Sequence, residues 1–201
     1  MQHLIDGYRE FRAEVWPERR ALFERLAARG QRPHTMVIAC SDSRVDPGMI
    51  FGAGPGELFV VRNVANLVPP YEPDAAYHGT SAALEFAVTV LKVADLIVLG
   101  HGMCGGIRAL LEPSFAPGDF VGPWMSIVRA ARDRVLACTS VDQAQTACER
   151  EAVRLSLGNL RGFPWIAARV AEGQLRLHGA TFDIRFGVLE ILQPDGHFTP
   201  A

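Results

Sequence analysis

Two continuous apolar runs mark the first half of the chain. Residues 36–40 and 96–99 are almost entirely apolar, and each run stops at a small residue, Ser41 in one case and Gly100 in the other. Four to six apolar residues, many of them β-branched, that end at Gly or Ser are typical of a strand buried on both faces. The pattern therefore predicts two core strands that each run into a tight turn.

Weaker patterns complete a sheet. Residues 58–62 predict a strand after a connection rich in Gly and Pro, whereas 175–184 alternate in polarity and 187–192 can pair with them. This order predicts the α/β class: a single domain, 1–201, with a central, mostly parallel β-sheet plus an antiparallel C-terminal strand.

Helical periodicity fills the intervals and places helices on both faces of that sheet. The predicted helices cover 81–93, 124–136, 144–160 and a short stretch through 170, and another short one starts beside Cys104. The apolar face of the first comprises Ala83, Phe86, Ala87 and Val90. A capping box is expected at 140–143, and loops are expected at 63–73 and 113–123.

The first thirty residues form a separate amphipathic segment. Apolar residues recur at helical spacing from Leu4 to Val15, the pattern restarts after Pro17, and Gly30 ends it. Residues 1–30 are therefore predicted to be a helical arm. Such an arm can cover its own core or that of a neighbour.

Composition limits the classes of protein. The chain has 201 residues, 49% hydrophobic, with a net charge of -2 and no basic stripe with interleaved aromatics, so no nucleic-acid partner is expected. No apolar stretch approaches eighteen residues and the first residues are charged, so neither a membrane span nor a secretion signal at this end is expected. Four unevenly spaced cysteines favour a reduced, cytoplasmic protein.

Residues that could bind a metal ion lie at the ends of both core strands. Cys40 and Asp42 come at the end of the first, and His101 and Cys104 at the end of the second. Ligands bind at the carboxyl ends of strands in open α/β sheets. A single cysteine there is usually only packed, but two thiols with an imidazole and a carboxylate suit zinc better than any hard cation.

Here the chain resembles the β-class carbonic anhydrases. Both metal motifs of that family, Cys-x-Asp-x-Arg at 40–44 and His-x-x-Cys-Gly-Gly at 101–106, occur unaltered, and the segments 57–66, 78–85 and 148–160 also read like the family. The resemblance implies one Zn²⁺ per chain on Cys40, His101 and Cys104. It further implies carbonate dehydratase activity, in which zinc-bound hydroxide attacks carbon dioxide to give bicarbonate, in a homodimer or larger homo-oligomer whose arm lies across the partner.

Asp42 and Arg44 are the expected catalytic pair. A planar guanidinium can hold a carboxylate by two parallel hydrogen bonds, which lysine cannot do. Held in this way, Asp42 stays off the zinc and accepts the proton of the bound hydroxide. Without Arg44, Asp42 could take the fourth position and exclude water.

The resemblance also suggests a substrate pocket. Its polar donors would be the Gln31 amide and the Gly105 backbone N–H, and its apolar walls would be Phe59, Val64 and Phe86. Gln31 matches the plant-like branch, whose site is open. The regulated bacterial branch carries a tryptophan and a tyrosine where this chain has Val37 and Phe182, so no bicarbonate pocket is expected.

Two alternatives stay open. One is a hydrolase of carbonyl sulfide or carbon disulfide on the same scaffold, because those proteins share the metal motifs and differ in access to the site. The other is a non-catalytic protein in which Cys40, Asp42, His101 and Cys104 make a closed structural zinc site.

Overall fold

The structure is a computed structural model that describes residues 1–74, 76–112 and 118–201, with the backbone alone at 141 and 142. The strands are β1 (Thr35–Cys40), β2 (Leu58–Asn63), β3 (Asp95–His101), β4 (Arg176–Asp183), β5 (Val188–Leu192) and β6 (Phe198–Pro200). The helices are α1 (Gln2–Glu10), α2 (Trp16–Arg29), α3 (Pro47–Ile50), α4 (Gly79–Glu85), α5 (Gly105–Leu111), α6 (Val121–Ser126), α7 (Arg129–Cys138), α8 (Val141–Leu160) and α9 (Pro164–Ala171). Short π-helical segments occupy Phe11–Val15 and Phe86–Val90, and a 3-10 turn occupies Val64–Asn66.

The six strands form one sheet in the order β2-β1-β3-β4-β5-β6. The first four are parallel, and β5 and β6 extend the sheet in antiparallel fashion. The predicted fold class is confirmed, although β6 was not predicted. Because β1 and β3 are adjacent and parallel, the turns after Cys40 and His101 meet at the same edge.

Alternate residues of the core strands enter two different clusters. Met36 and Ile38 of β1 pack with α8, α9 and the 79–90 helical segment in the larger cluster. Val37 and Ala39 face a smaller cluster on the other side of the sheet, where α3 contributes Ile50. Helical cover on this second face is thin, and several of its apolar residues are only half-buried.

The predicted arm is helical from Gln2 to Arg29 and ends at Gly30, whose φ of +74° is readily adopted by glycine. Pro17 does not interrupt it, since Pro17 lies at the start of α2, where a missing N–H is tolerated. No residue of the arm is buried, and Leu4 and Tyr8 are more than 60% exposed. Leu4 and Tyr8, at the start of the arm, are therefore not covered by the described part of the chain.

Two helix predictions were wrong in detail. The helix expected at 81–93 spans 79–90 and buries Leu84, Ala87 and Val88, so Phe86 and Val90 remain exposed. Its sequence has two overlapping apolar faces, and the chain buries the one that includes Leu84. The single helix expected at 124–136 is divided into α6 and α7 at residues 127–128.

The other corrections concern ends of helices. α8 begins directly after Ser140, but the Ser140 side chain makes no capping hydrogen bond, so the capping box is not formed. Of the loop expected at 113–123, residues 113–117 lie outside the described part of the chain, and α6 begins at Val121. Among the helices that the structure describes, none has both the length and the apolar character needed to cross a membrane.

Candidate metal centre

Three donor side chains meet at the carboxyl edge of the sheet. Cys40 ends β1, His101 ends β3, and Cys104 follows in the turn before α5. Their ligand atoms all lie within 4.8 Å of one another, and all three side chains are buried. The parallel pairing of β1 with β3 produces this convergence, as the sequence predicted.

The His101 ring has one nitrogen engaged and one free. Nδ1 lies 2.8 Å from the carbonyl oxygen of Gly102, which fixes Nδ1 as the donor. Nε2 is buried and has no hydrogen-bond partner in the described part of the chain. A buried unpaired nitrogen is costly, and a neutral imidazole with Nδ1 bound to a carbonyl oxygen is the usual form of a metal ligand.

The two thiols differ in acidity. Hydrogen bonding with Cys104 lowers the pKa of the Cys40 thiol well below its ordinary value, against burial, which raises it, and the Asp42 backbone N–H adds to the lowering. Hydrogen bonding to Cys40, together with burial, raises the pKa of the Cys104 thiol. The Cys40 thiol therefore loses its proton more readily than the Cys104 thiol. A divalent cation that displaced the Cys104 proton as well would be bound by two thiolates. With the free Nε2, this donor set fits a soft or borderline metal ion.

Asp42 is held beside this cluster by Arg44. Arg44 Nε donates to Asp42 Oδ1 at 2.9 Å and Nη2 donates to Oδ2 at 2.6 Å. The Arg44 guanidinium, together with the Arg44 backbone N–H at 3.0 Å, holds the pKa of the Asp42 carboxyl well below its usual range, against a smaller effect of burial. Asp42 is therefore anionic, and both of its oxygens are engaged by Arg44.

Arg62 braces the same turn from the side of β2. It donates from Nε to the Cys40 carbonyl oxygen at 2.9 Å and from Nη2 to the Asp42 carbonyl oxygen at 2.5 Å. Its Nη1 lies 3.2 Å from Asp46 Oδ2, and Asp46 also caps α3 by accepting from Met49 N. Every nitrogen of the Arg62 guanidinium thus contacts the turn that carries Cys40 and Asp42.

Two of the five predicted pocket residues lie next to the metal centre. Gly105 follows Cys104 directly, is exposed, and has open space where a side chain would be. Val64 packs against Gly106, the residue after Gly105, since a Cβ placed on Gly106 would lie 2.9 Å from Val64 Cγ1. The Val64 carbonyl oxygen accepts a hydrogen bond from Trp124 Nε1 at 2.8 Å.

The other three predicted pocket residues lie elsewhere in this chain. Phe59 pairs in register with Met36, four residues before Cys40 on β1. Phe59 is therefore about 13 Å along the strand from the level of Cys40. Phe86 packs on Phe59, with the ring centroids 6.0 Å apart. Gln31 is exposed and precedes β1, at the opposite edge of the sheet. The fold thus does not bring these three to the metal centre of their own chain.

One residue beside the centre was not predicted from the sequence. Glu149 of α8 is 4% exposed, and its Oε1 accepts from the Cys104 backbone N–H at 2.8 Å and from Gln145 Nε2 at 3.0 Å. Its sequence signal is a glutamate on the buried face of a helix, next to the buried Cys148. That signal shows burial but does not reveal what the carboxylate contacts.

The fold and the site together define an α/β protein with a two-thiol, one-imidazole centre at the carboxyl edge of its sheet. A family model described as Carbonic anhydrase matches residues 35–189. Beta carbonic anhydrase 3 of Arabidopsis thaliana is 37% identical over 208 residues, which cover all of this chain and 80% of that protein.

Solved structures agree with this match. The β-carbonic anhydrase CcaA superposes with a TM-score of 0.90 at 33% identity, covering 100% of this chain and 99% of that one. The Coccomyxa β-carbonic anhydrase, solved in complex with acetazolamide, gives a TM-score of 0.82 at 31% identity, covering 94% and 84%. One of two tetrameric β-carbonic anhydrases from Sordaria macrospora gives 0.85 at 29% identity, covering 98% of each chain.

The chain belongs to the β-carbonic anhydrase family. The resemblance seen in its motifs is thereby confirmed, as is its class of enzyme, carbonate dehydratase.

Proposed function

We propose that this protein is a zinc enzyme that interconverts carbon dioxide and bicarbonate. The observation that carries the proposal is the buried cluster of Cys40, His101 and Cys104 with a free Nε2, next to a carboxylate that Arg44 holds on both oxygens. Cys40, His101 and Cys104 would hold the ion. When bound, zinc supplies a water ligand acidified to a pKa of roughly 7, and hence a nucleophile at neutral pH.

Asp42 and Arg44 supply the orientation. The anionic Asp42 accepts the proton of the nucleophile in a hydrogen bond and so directs a lone pair at the carbon of the substrate. Arg44 keeps Asp42 ionised and, by engaging both carboxylate oxygens, keeps it from serving as a fourth ligand. This pairing favours an open catalytic site over a closed structural one.

The surroundings also favour the open, plant-like form of the site. Arg62 is occupied by the carbonyl oxygens of Cys40 and Asp42, and Val37 and Phe182 offer no hydrogen-bond donor from their side chains. A bicarbonate ion buried there would leave oxygens unpaired, at about 1–3 kcal/mol each. Hydration is therefore expected to fall at low pH with a single apparent ionisation and without cooperative inhibition by bicarbonate.

Oligomerisation is part of the proposal. The exposed apolar residues Leu4 and Tyr8 of the arm and the half-covered second face of the sheet suit a homodimer in which each arm lies on the other subunit, or a larger homo-oligomer. Gln31, Phe59 and Phe86 could then reach only a partner's metal centre, together with the partner's Val64 and Gly105.

Light scattering tests the role of the arm. The double variant Leu4→Arg with Tyr8→Arg should dissociate the oligomer, whereas Glu18→Arg, at an exposed polar position of the same arm, should not.

Two free thiols at the centre must stay reduced to bind metal, which fits a cytoplasmic protein.

A substrate panel tests the proposed reaction. The purified protein is assayed with carbon dioxide, carbonyl sulfide and carbon disulfide, and its cobalt-substituted form is titrated with an inhibitory anion. Fast hydration of carbon dioxide, with a cobalt spectrum that changes on anion binding, is expected. Turnover confined to a sulfur-containing substrate would support the hydrolase alternative, and a spectrum insensitive to anions would indicate a closed structural site.

A further inference from the structure

A buried carboxylate contacts the backbone of one predicted metal ligand. Glu149 of α8 accepts the Cys104 N–H at 2.8 Å, and Gln145, one turn earlier on the helix, donates to the same Oε1 at 3.0 Å. Burying a carboxylate is costly unless hydrogen bonds compensate for the lost water. This buried carboxylate lies where helix α8 contacts the turn at residues 101–104, which carries His101 and Cys104 and is called the metal turn below.

The turn that Glu149 contacts is strained. Met103 has a φ of +58°, a left-handed conformation that residues other than glycine seldom adopt. Neighbouring contacts hold its two sides: Gly102 N donates to the Phe182 carbonyl oxygen at 2.9 Å, and Arg44 Nη2 donates to the Met103 carbonyl oxygen at 3.2 Å. Glu149 completes this set at the amide of Cys104 itself.

The contacts of Glu149 distinguish this role from ordinary ion pairing. In the described ranges, no basic nitrogen forms a salt bridge with the Glu149 carboxylate, and the adjacent Arg150 pairs with Glu190 at 2.7 Å instead. Glu149 also lines a cavity of about 270 Å³, together with Met103 and Gln145 among others. The hydrogen bonds of the carboxylate therefore go to the metal turn and to Gln145, which orients it.

We propose that Glu149 is a positioning residue for the metal centre. By accepting the Cys104 N–H it fixes the strained peptide between Met103 and Cys104, and with it the direction in which the Cys104 sulfur faces Cys40 and His101. Outer hydrogen bonds of this kind typically change metal affinity by 10–100-fold. The inference rests on the proposed zinc function of this site.

Zinc affinity, measured by competition with a chromophoric chelator, provides a test that does not depend on turnover. Glu149→Met has a similar size but no acceptor, whereas Glu149→Gln keeps an oxygen that can accept the Cys104 N–H. Glu151→Met is the matched control, because Glu151 lies on the same helix and pairs with Arg154. Glu149→Met should bind zinc about 10–100-fold more weakly than the wild type, and Glu149→Gln and Glu151→Met should stay close to it.

The cobalt-substituted proteins give a second readout. A shifted thiolate-to-cobalt charge-transfer band in Glu149→Met, with a wild-type band in Glu149→Gln, would show that the thiolate geometry has changed. Equal zinc affinity in Glu149→Met and Glu151→Met would overturn the inference, and so would an equal loss in Glu149→Gln and Glu149→Met.

If Glu149→Met does not fold, Gln145→Ala decides the question. It removes the donor that orients Glu149 and should weaken zinc binding with a shifted band; wild-type values for both would overturn the inference. A wild-type protein that bound no zinc would instead refute the proposed function, so the two failures are distinguishable.

Discussion

The Arg44 guanidinium holds the Asp42 carboxylate by two parallel hydrogen bonds, from Nε at 2.9 Å and from Nη2 at 2.6 Å. Lysine can reach the same carboxylate but offers a point charge, so it cannot fix both oxygens. The pair is thus a geometric device as well as an ion pair, and it lies at the end of the strand that carries Cys40.

Arg44→Lys is expected to keep its zinc but to lose most of its activity. A misplacement of about 1 Å near the reacting atoms can cost on the order of 100-fold in rate. The rate of carbon dioxide hydration and the zinc content should be measured on the same sample. Arg20→Lys is the control, because Arg20 forms an exposed pair with Glu24 on the arm. Normal turnover with full zinc in Arg44→Lys would show that Arg44 does not control Asp42.

Cys40→Ser, His101→Ala and Cys104→Ser are each expected to lose zinc and activity together. Removing one of three donors costs affinity that the remaining two cannot replace. Cys138→Ser is the matched control, since Cys138 is an exposed thiol at the end of α7 and should keep both properties. Elemental analysis paired with a hydration assay measures the effect, and full activity in any of the three ligand variants would be inconsistent with the assigned centre.

Gly100→Ala should destabilise the fold next to His101. A Cβ at Gly100 would lie 2.6 Å from Val153 Cγ2, and a β-branched side chain within a helix has little freedom to move away. Overpacking of this kind typically costs about 1–3 kcal/mol, measured as the free energy of unfolding in urea.

Two companion variants show whether this contact is the cause. The cost of Gly100→Ala should shrink in a Val153→Ala background, because the obstructing methyl group is gone. Gly158→Ala, in the same helix as Val153 but with open space around it, should be neutral or stabilising. An undiminished cost in the Val153→Ala background would contradict the packing explanation.

Asp95 links pH to stability far from the metal centre. Burial raises the pKa of its carboxyl, but hydrogen bonds from Arg176 at 2.8 and 2.7 Å and from His178 at 2.8 Å outweigh burial, so the pKa lies below its ordinary value. The native carboxyl thus binds a proton less readily than the unfolded one. Its contribution to stability is complete above the unfolded pKa of about 3.9 and is lost as the pH falls through the lower native value.

Asp95→Asn should therefore lower the free energy of unfolding at pH 7 and make a smaller difference below about pH 4. Urea unfolding of both proteins across this range measures the difference. A difference that did not change with pH would mean that the ionised carboxylate is not what stabilises the native state.

The sequence predicted the centre of the fold better than its periphery. Buried parallel strands leave a simple signal, a continuous apolar run, so the ends of β1 and β3 and the convergence of Cys40, His101 and Cys104 could be predicted. The exposure of Phe86 and Val90 could not be predicted, because the 79–90 segment has two overlapping apolar faces and periodicity does not indicate which of them is buried.

Contacts between distant segments account for the rest. Glu149 binds the backbone amide of a residue 45 positions earlier, and a backbone amide leaves no mark in the sequence. The side chain of Ser140 shows the opposite case: its spacing to Gln143 is that of a capping box, but no side-chain capping bond forms. The family resemblance suggested a substrate pocket that includes Gln31, Phe59 and Phe86. The strand register separates these residues from the metal centre of their own chain.

Zinc reconstitution tests the central claim most directly. Protein depleted of metal by chelation is titrated with Zn²⁺, and carbon dioxide hydration is measured at each step alongside the bound metal. The account predicts that activity rises in proportion to bound zinc and stops rising at one ion per chain. Full hydration activity in the depleted protein, or none at one zinc per chain, would contradict it.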